Sequence, residues 1–128
     1  MKKAIFLMAV IGLLAACGGG EKEKSGEAKK EVKPVDNSTN PDYLKGLEVL
    51  NRVTICGTCH KIDEKLIGPA WKDVSVKYAG QDTAINYLVN KITLGGKGVW
   101  GDIEMPANSA IAKEDVEAIA KYILLLKK

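Results

Sequence analysis

Cys56-Gly57-Thr58-Cys59-His60 is the stretch of this 128-residue sequence that decides its fold. A Cys-x-x-Cys-His motif is typical of covalent attachment of a c-type haem. Its spacing lets the two thiols add to the two vinyl groups of one porphyrin, and the adjacent imidazole then reaches the iron. The motif therefore predicts one covalently bound haem c and a protein that handles electrons.

Other uses of the motif have less support in the sequence. A redox dithiol of the thioredoxin type would need a βαβ pattern around it. A structural zinc site would need four ligands, and the motif offers two cysteines and one histidine. A chance occurrence of the motif is the third alternative. Haem attachment is the interpretation that the rest of the residue inventory favours.

The axial ligands of the iron follow from that inventory. His60 is the only histidine in the chain, so a second histidine ligand is excluded. Met1 and Met8 lie in the N-terminal export segment, which leaves Met105 as the sixth ligand. A thioether is a soft donor that favours ferrous iron and so raises the reduction potential. The alternative role for Met105 is to fill a gap in the core.

The N-terminus has the pattern of a bacterial lipoprotein signal. Lys2-Lys3 form a basic start, and residues 4–16 form an apolar run that is too short to span a bilayer. Leu14-Ala15-Ala16-Cys17 resembles a lipobox, in which cleavage leaves a lipidated cysteine as the new N-terminus. We therefore expect residues 1–16 to be a signal peptide and Cys17 to anchor the protein to a membrane, on the periplasmic side of the cell envelope. An ordinary secretory signal is the alternative, and it would leave Cys17 as an odd thiol in an oxidising compartment.

The segment that follows is predicted to be a tether. Residues 17–40 comprise the lipidated cysteine and a stretch that is rich in glycine, glutamate and lysine. Because the stretch contains almost nothing apolar, it cannot bury enough surface to offset its ordering entropy. The folded domain is expected to comprise residues 41–128.

Helical periodicity runs through residues 41–128, and no segment shows sustained strand alternation. The first helix is expected to run from Pro41 into the haem motif. Asp82 is the predicted N-cap of the third helix, and Gly95-Gly96 ends that helix. The fold class is therefore predicted to be all-α. The apolar positions that carry the four helices are Leu44, Leu47 and Leu50; Trp71, Val74 and Tyr78; Ile85, Leu88, Val89 and Ile92; and Val116, Ile119, Ala120, Ile123 and Leu124.

Three further segments accompany the haem motif: Ile67-Gly68-Pro69-Ala70-Trp71, Gly98-Val99-Trp100-Gly101 and Met105-Pro106-Ala107-Asn108. Their order and spacing resemble the short monohaem class I cytochromes c of bacteria, a group of periplasmic electron donors to oxidases and nitrite reductases. The resemblance covers essentially all of the predicted domain. It implies a class I cytochrome c fold, with four to five helices wrapped around one covalently bound haem.

The resemblance also implies roles for single residues. The carbonyl of Pro69 would accept a hydrogen bond from the His60 ring and fix its tautomer. Lys91 and Trp100 would meet a haem propionate, and Asn108 would hydrogen-bond near the sulfur of the sixth ligand. The complete set implied for the haem site is Cys56, Cys59, His60, Met105, Pro69, Lys91, Trp100 and Asn108.

These features predict an electron carrier rather than an enzyme. The formal net charge of +3 includes the two lysines of the signal, so the mature chain is near neutral and no nucleic-acid partner is indicated. The expected partners are redox proteins, namely a donor and a terminal oxidase or reductase, and the expected state is a monomer. Two alternatives stay open: a haem domain with a labile sixth ligand that acts as a peroxidase or gas sensor, and a docked subunit of a larger complex.

Overall fold

The computed structural model describes residues 36–127, and it folds them into four α-helices and one short hairpin. The helices are α1 (Pro41–Arg52), α2 (Trp71–Tyr78), α3 (Ala84–Leu94) and α4 (Lys113–Leu125), and a 3-10 helix (Thr54–Thr58) lies between α1 and α2. Strands β1 (Gly96–Gly98) and β2 (Gly101–Met105) pair antiparallel, with Gly96 opposite Met105. The four predicted helices are confirmed. The hairpin was not predicted, because strands this short show no sustained alternation.

The folded part of the chain begins before α1. The side chain of Asn40 caps α1 by accepting hydrogen bonds from the N–H groups of Asp42 (2.9 Å) and Tyr43 (3.2 Å). The amide nitrogen of Asn37 donates to the carbonyl oxygen of Leu125 at 2.8 Å. Both asparagines fall in the segment that the sequence assigns to the tether. Contacts of the folded part therefore extend to Asn37, four residues before Pro41.

Helix α1 differs from its prediction in length and in orientation. It ends at Arg52, because Val53 (φ −96°, ψ 74°) leaves the helical region before the haem motif. The buried residues of α1 are Gly46 and Val49, whereas Leu44 is 47% exposed. The prediction that Leu44 lies in the core is therefore wrong: the face that meets α4 runs through the glycine and the valine.

The predicted N-cap of α3 is also wrong. The capping residue is Thr83 rather than Asp82, and no side chain bonds to the first turn. Thr83 (φ −89°, ψ −1°) already has helical angles, whereas a capping side chain normally comes from a residue in an extended conformation. The end of α3 is as predicted, since Gly95 is its C-terminal cap.

Helix α4 is the centre of the core, because it packs against α1, α2 and α3. Ser75 on α2 is fully buried, and its hydroxyl donates to the carbonyl oxygen of Leu124 at 2.9 Å. None of the helices within residues 36–127 is long and apolar enough to cross a membrane. The largest fully buried side chains are Tyr122, Ile119, Val49, Val116 and Ser75.

Candidate functional site

One cavity brings together residues from most elements of the fold. Its apolar lining comes from α3, through Leu88 and Ile92, and from α4, through Ile119 and Ile123. Cys17 and residues 1–35 lie outside the described part of the chain. All eight residues that the sequence assigns to the haem site line this cavity: Cys56, Cys59, His60, Pro69, Lys91, Trp100, Met105 and Asn108.

The 3-10 helix carries the first cysteine of the motif into the cavity. The N–H groups of Cys59 (3.3 Å) and His60 (3.1 Å) both donate to the carbonyl oxygen of Cys56, so the motif is wound into one tight turn. The two thiols are half-buried and are not joined in a disulfide. Burial raises the pKa of the Cys56 thiol. A redox dithiol of the thioredoxin type is expected beside a βαβ unit, and the only sheet within residues 36–127 is the antiparallel pair β1–β2.

The tautomer of His60 is set by Pro69. The Nδ1 atom of His60 lies 2.8 Å from the carbonyl oxygen of Pro69. Because a carbonyl oxygen only accepts, Nδ1 carries the hydrogen, and Nε2 keeps a lone pair for a metal. Gly68 lies against the same ring: a Cβ at this position would come within 2.8 Å of both ring nitrogens. The orientation of His60 therefore depends on Gly68 as well as on Pro69.

Two aromatic side chains pack in sequence beside the His60 ring, Trp71 first and then Tyr122. The Trp71 ring is nearly parallel to it, at 17° and 6.1 Å between centroids, and Tyr122 meets Trp71 edge-on at 6.1 Å. Burial is the main cause that raises the pKa of Tyr122 to about 12, so this side chain is neutral in the core. The periodicity of the sequence predicts Trp71 on a helix face but gives no sign of its stacking on His60, because the two residues meet only through the fold.

Lys91 and Trp100 both line the cavity, and each takes part in a contact between a lysine and an aromatic ring. The Nζ atom of Lys91 lies 5.6 Å from the centroid of the Tyr87 ring, and the Nζ atom of Lys77 lies 5.2 Å from that of Trp100. Two lysines thus bring positive charge to this part of the site. Tyr87 was missed by the sequence analysis, although its i, i+4 spacing from Lys91 places both on one face of α3. Tyr87 also packs against Tyr78, with 5.0 Å between ring centroids.

Met105 is the last residue of β2, and it is half-buried against the core. Asn108 follows three residues later and fastens this segment to α3. Its amide nitrogen donates to the carbonyl oxygens of Pro106 (3.0 Å) and Ile92 (3.3 Å). Because these two bonds use both hydrogens of the amide, the Asn108 side chain in this structure donates to backbone carbonyls and not to the sulfur of Met105.

Known proteins resemble this chain in sequence and in fold. The family model for cytochrome c matches residues 45–127. The chain belongs to the cytochrome c family. This cytochrome is 47% identical to cytochrome c-552 of Nitrosomonas europaea over 72 residues, which cover 56% of the chain and 70% of that protein. It is 45% identical to cytochrome c-551 of Pseudomonas aeruginosa over 80 residues, which cover 62% of the chain and 76% of that protein.

A solved structure confirms the predicted class I cytochrome c fold. The crystal structure of Nitrosomonas europaea cytochrome c552 matches with a TM-score of 0.60 and 42% identity, covering 63% of this chain and 99% of that one. As a member of the family, this cytochrome carries one covalently attached haem c and is an electron-transfer protein rather than an enzyme. The cavity fits a haem, because its lining combines two thiols, an imidazole with a free lone pair, a thioether and apolar side chains from α3 and α4.

Proposed function

We propose that this cytochrome carries single electrons with Cys56 and Cys59 as its haem attachment residues and His60 and Met105 as its axial ligands. One observation carries the proposal: these four side chains line the same cavity, and the hydrogen bond from His60 to Pro69 leaves Nε2 with its lone pair. The haem supplies a one-electron couple between ferric and ferrous iron. The residues of the protein hold this haem and orient it.

The haem motif fixes and orients the group on one wall of the cavity. Two thioether bonds from Cys56 and Cys59 make attachment permanent. The hydrogen bond to Pro69 holds the His60 ring in one tautomer and raises its basicity, as outer hydrogen bonds do for metal-bound imidazoles. Trp71 and Gly68 limit rotation of the same ring. A ligand held in one orientation needs little rearrangement when the charge of the iron changes.

Met105 closes the sixth position in this proposal. As a soft donor it favours ferrous iron and keeps the reduction potential high. With both axial positions filled by protein, small molecules such as peroxide or carbon monoxide find no open site. A haem held in this way would supply one-electron transfer without any bond being made or broken, which is the behaviour of a carrier.

We expect the ferrous protein not to bind carbon monoxide at neutral pH and to exchange electrons rapidly with a small redox protein. The first result follows from the closed sixth position, and a visible spectrum before and after addition of the gas measures it. Stopped-flow kinetics measures the second. The exchange rate should fall as ionic strength rises if exposed lysines such as Lys61, Lys65 and Lys97 steer the partner. Ready binding of carbon monoxide would favour the peroxidase or gas-sensor alternative.

We also propose that the protein is a monomer, anchored by lipid at Cys17 on the periplasmic side of the cell envelope. The lipobox-like sequence and the basic, apolar start support this proposal. The domain is fastened at Asn37, so 19 residues separate it from Cys17. At full extension these residues span at most about 65 Å. The anchor therefore allows the haem domain to reach redox partners within that distance of the membrane.

Replacing Cys17 with serine should abolish incorporation of fatty-acid label and release the protein from the membrane fraction. The reason is that lipid is attached through the sulfur and the amine of this cysteine. Metabolic labelling followed by membrane fractionation measures both effects. The haem absorption per polypeptide is the control, and it should match that of the parent because Cys17 lies outside the haem domain. Label retained at the parental level in Cys17→Ser contradicts the anchor.

A further inference from the structure

Gly95 lies at the point where α3 ends and the chain turns toward the hairpin. It is buried, has φ +74° and ψ −156°, and donates its N–H to the carbonyl oxygen of Lys91 at 2.9 Å. A side chain is rarely found at this φ, because Cβ crowds the backbone there. This conformation alone explains why a helix end would use glycine.

A second constraint on Gly95 is independent of its φ angle. A Cβ at this position would overlap the carbonyl oxygen of Met105 and lie 2.9 Å from both the nitrogen of Ala107 and the carbonyl carbon of Pro106. All three contacts are backbone atoms, which have no rotamer through which to move aside. The segment that carries Met105 therefore crosses directly over Gly95.

Hydrogen bonds hold the crossing segment in this place. The backbone N–H of Asn108 lies 3.1 Å from the carbonyl oxygen of Ile92 and 3.2 Å from that of Thr93. The side-chain amide of Asn108 adds its bond to the Ile92 carbonyl. These bonds draw the segment onto the last turn of α3, and the lack of a side chain at position 95 lets it approach closely.

We propose that Gly95 is a positioning residue for the sixth iron ligand. It sets the distance between the end of α3 and β2, and thereby the depth at which Met105 enters the cavity. This inference rests on the proposed ligation by Met105. Any side chain at position 95 would push the Met105 carbonyl away from α3 and shift the sulfur with it.

The chain offers a matched control for the test. Gly80 has φ +73°, almost the same as Gly95, and a Cβ there would meet nothing within 4 Å. Gly80→Ala thus adds a side chain at the same φ without the steric contact. Gly80→Ala reports the cost of a side chain at positive φ, so a change at the iron that is seen in Gly95→Ala and not in Gly80→Ala is assigned to the crossing segment.

The experiment compares the parent, Gly80→Ala and Gly95→Ala as purified holoproteins. The readouts are the weak far-red absorption band of ferric iron bound to a thioether, the affinity of the ferrous protein for carbon monoxide, and the thermal midpoint. Gly80→Ala should lower the midpoint and keep the parental band. Gly95→Ala should weaken the band, because Met105 should be off the iron in a larger fraction of the molecules. If this open fraction grows by roughly tenfold, the apparent affinity for carbon monoxide should also rise by roughly tenfold.

The outcomes separate this inference from the proposed function. A parent without the band contradicts ligation by Met105, and the role of Gly95 falls with it. A parent with the band, together with a Gly95→Ala variant that has the same band and gas affinity as Gly80→Ala, overturns the role of Gly95 alone. If Gly95→Ala does not accumulate as holoprotein, Asn108→Ala replaces it. This variant removes the side-chain bond that holds the crossing segment on α3 and adds no Cβ, so the same weakened band is expected, and a parental band overturns the inference.

Discussion

Replacing Met105 with alanine is expected to remove the weak far-red band of the ferric protein and to open the iron to external ligands. The substitution deletes the proposed sixth ligand and the only methionine of the described residues. Because a thioether favours ferrous iron, its loss should also lower the reduction potential. We expect a shift on the order of 0.1 V, well within the range of about 0.8 V over which axial ligands move haem potentials.

The same variant should gain carbon monoxide binding and measurable peroxidase turnover. Potentiometric titration followed by visible spectroscopy measures the potential and the ligation together. Asp102→Ala is a suitable control, because Asp102 is exposed on the same strand and does not line the cavity. Its band and its gas binding should equal those of the parent. A Met105→Ala protein that keeps the band would mean that the sulfur of Met105 does not bind the iron.

The parts of the site that could be predicted are those whose chemistry is local in sequence. Cys56, Cys59 and His60 lie within five residues of one another, so their spacing indicated a haem site directly. Met105 was predicted by elimination, since Met1 and Met8 fall in the predicted export segment. The helices followed from apolar periodicity, because burial against one core imposes a repeat on each of them.

The parts that were missed depend on backbone angles or on contacts between distant segments. Asp82 has the residue type of an N-cap, but the angles of Thr83 decide where α3 starts. Asn108 was expected to bond near the Met105 sulfur, and the structure gives its amide two carbonyl partners instead. The stacking of Trp71 on His60 carries no signal in the sequence, because a tryptophan on a helix face is ordinarily a core residue. Prediction from the sequence therefore identified the functional groups better than it identified what orients them.

The packing of the cavity leads us to expect that the fold depends on haem attachment. Ile92, Ile119 and Ile123 belong to the hydrophobic core and also line the cavity. Haem held in the cavity would therefore lie directly against side chains of the core. An empty cavity of this kind costs roughly 24 cal/mol for each Å³, and a small domain has a thin core with which to offset that cost.

The haem-free domain, made by Cys56→Ala together with Cys59→Ala, should accordingly be largely unfolded or degraded in the cell. Net stabilities of native domains are only about 5–15 kcal/mol, so loss of the central apolar group is expected to remove most of the folding free energy. Far-ultraviolet circular dichroism and thermal unfolding of the purified chain measure the effect. Cys17→Ser is the matched control, since it removes a cysteine outside the domain and should keep full helicity. A cooperative thermal transition with native helicity in the double variant would show that the four helices form a sufficient core of their own, and that haem adds function to a fold that does not need it.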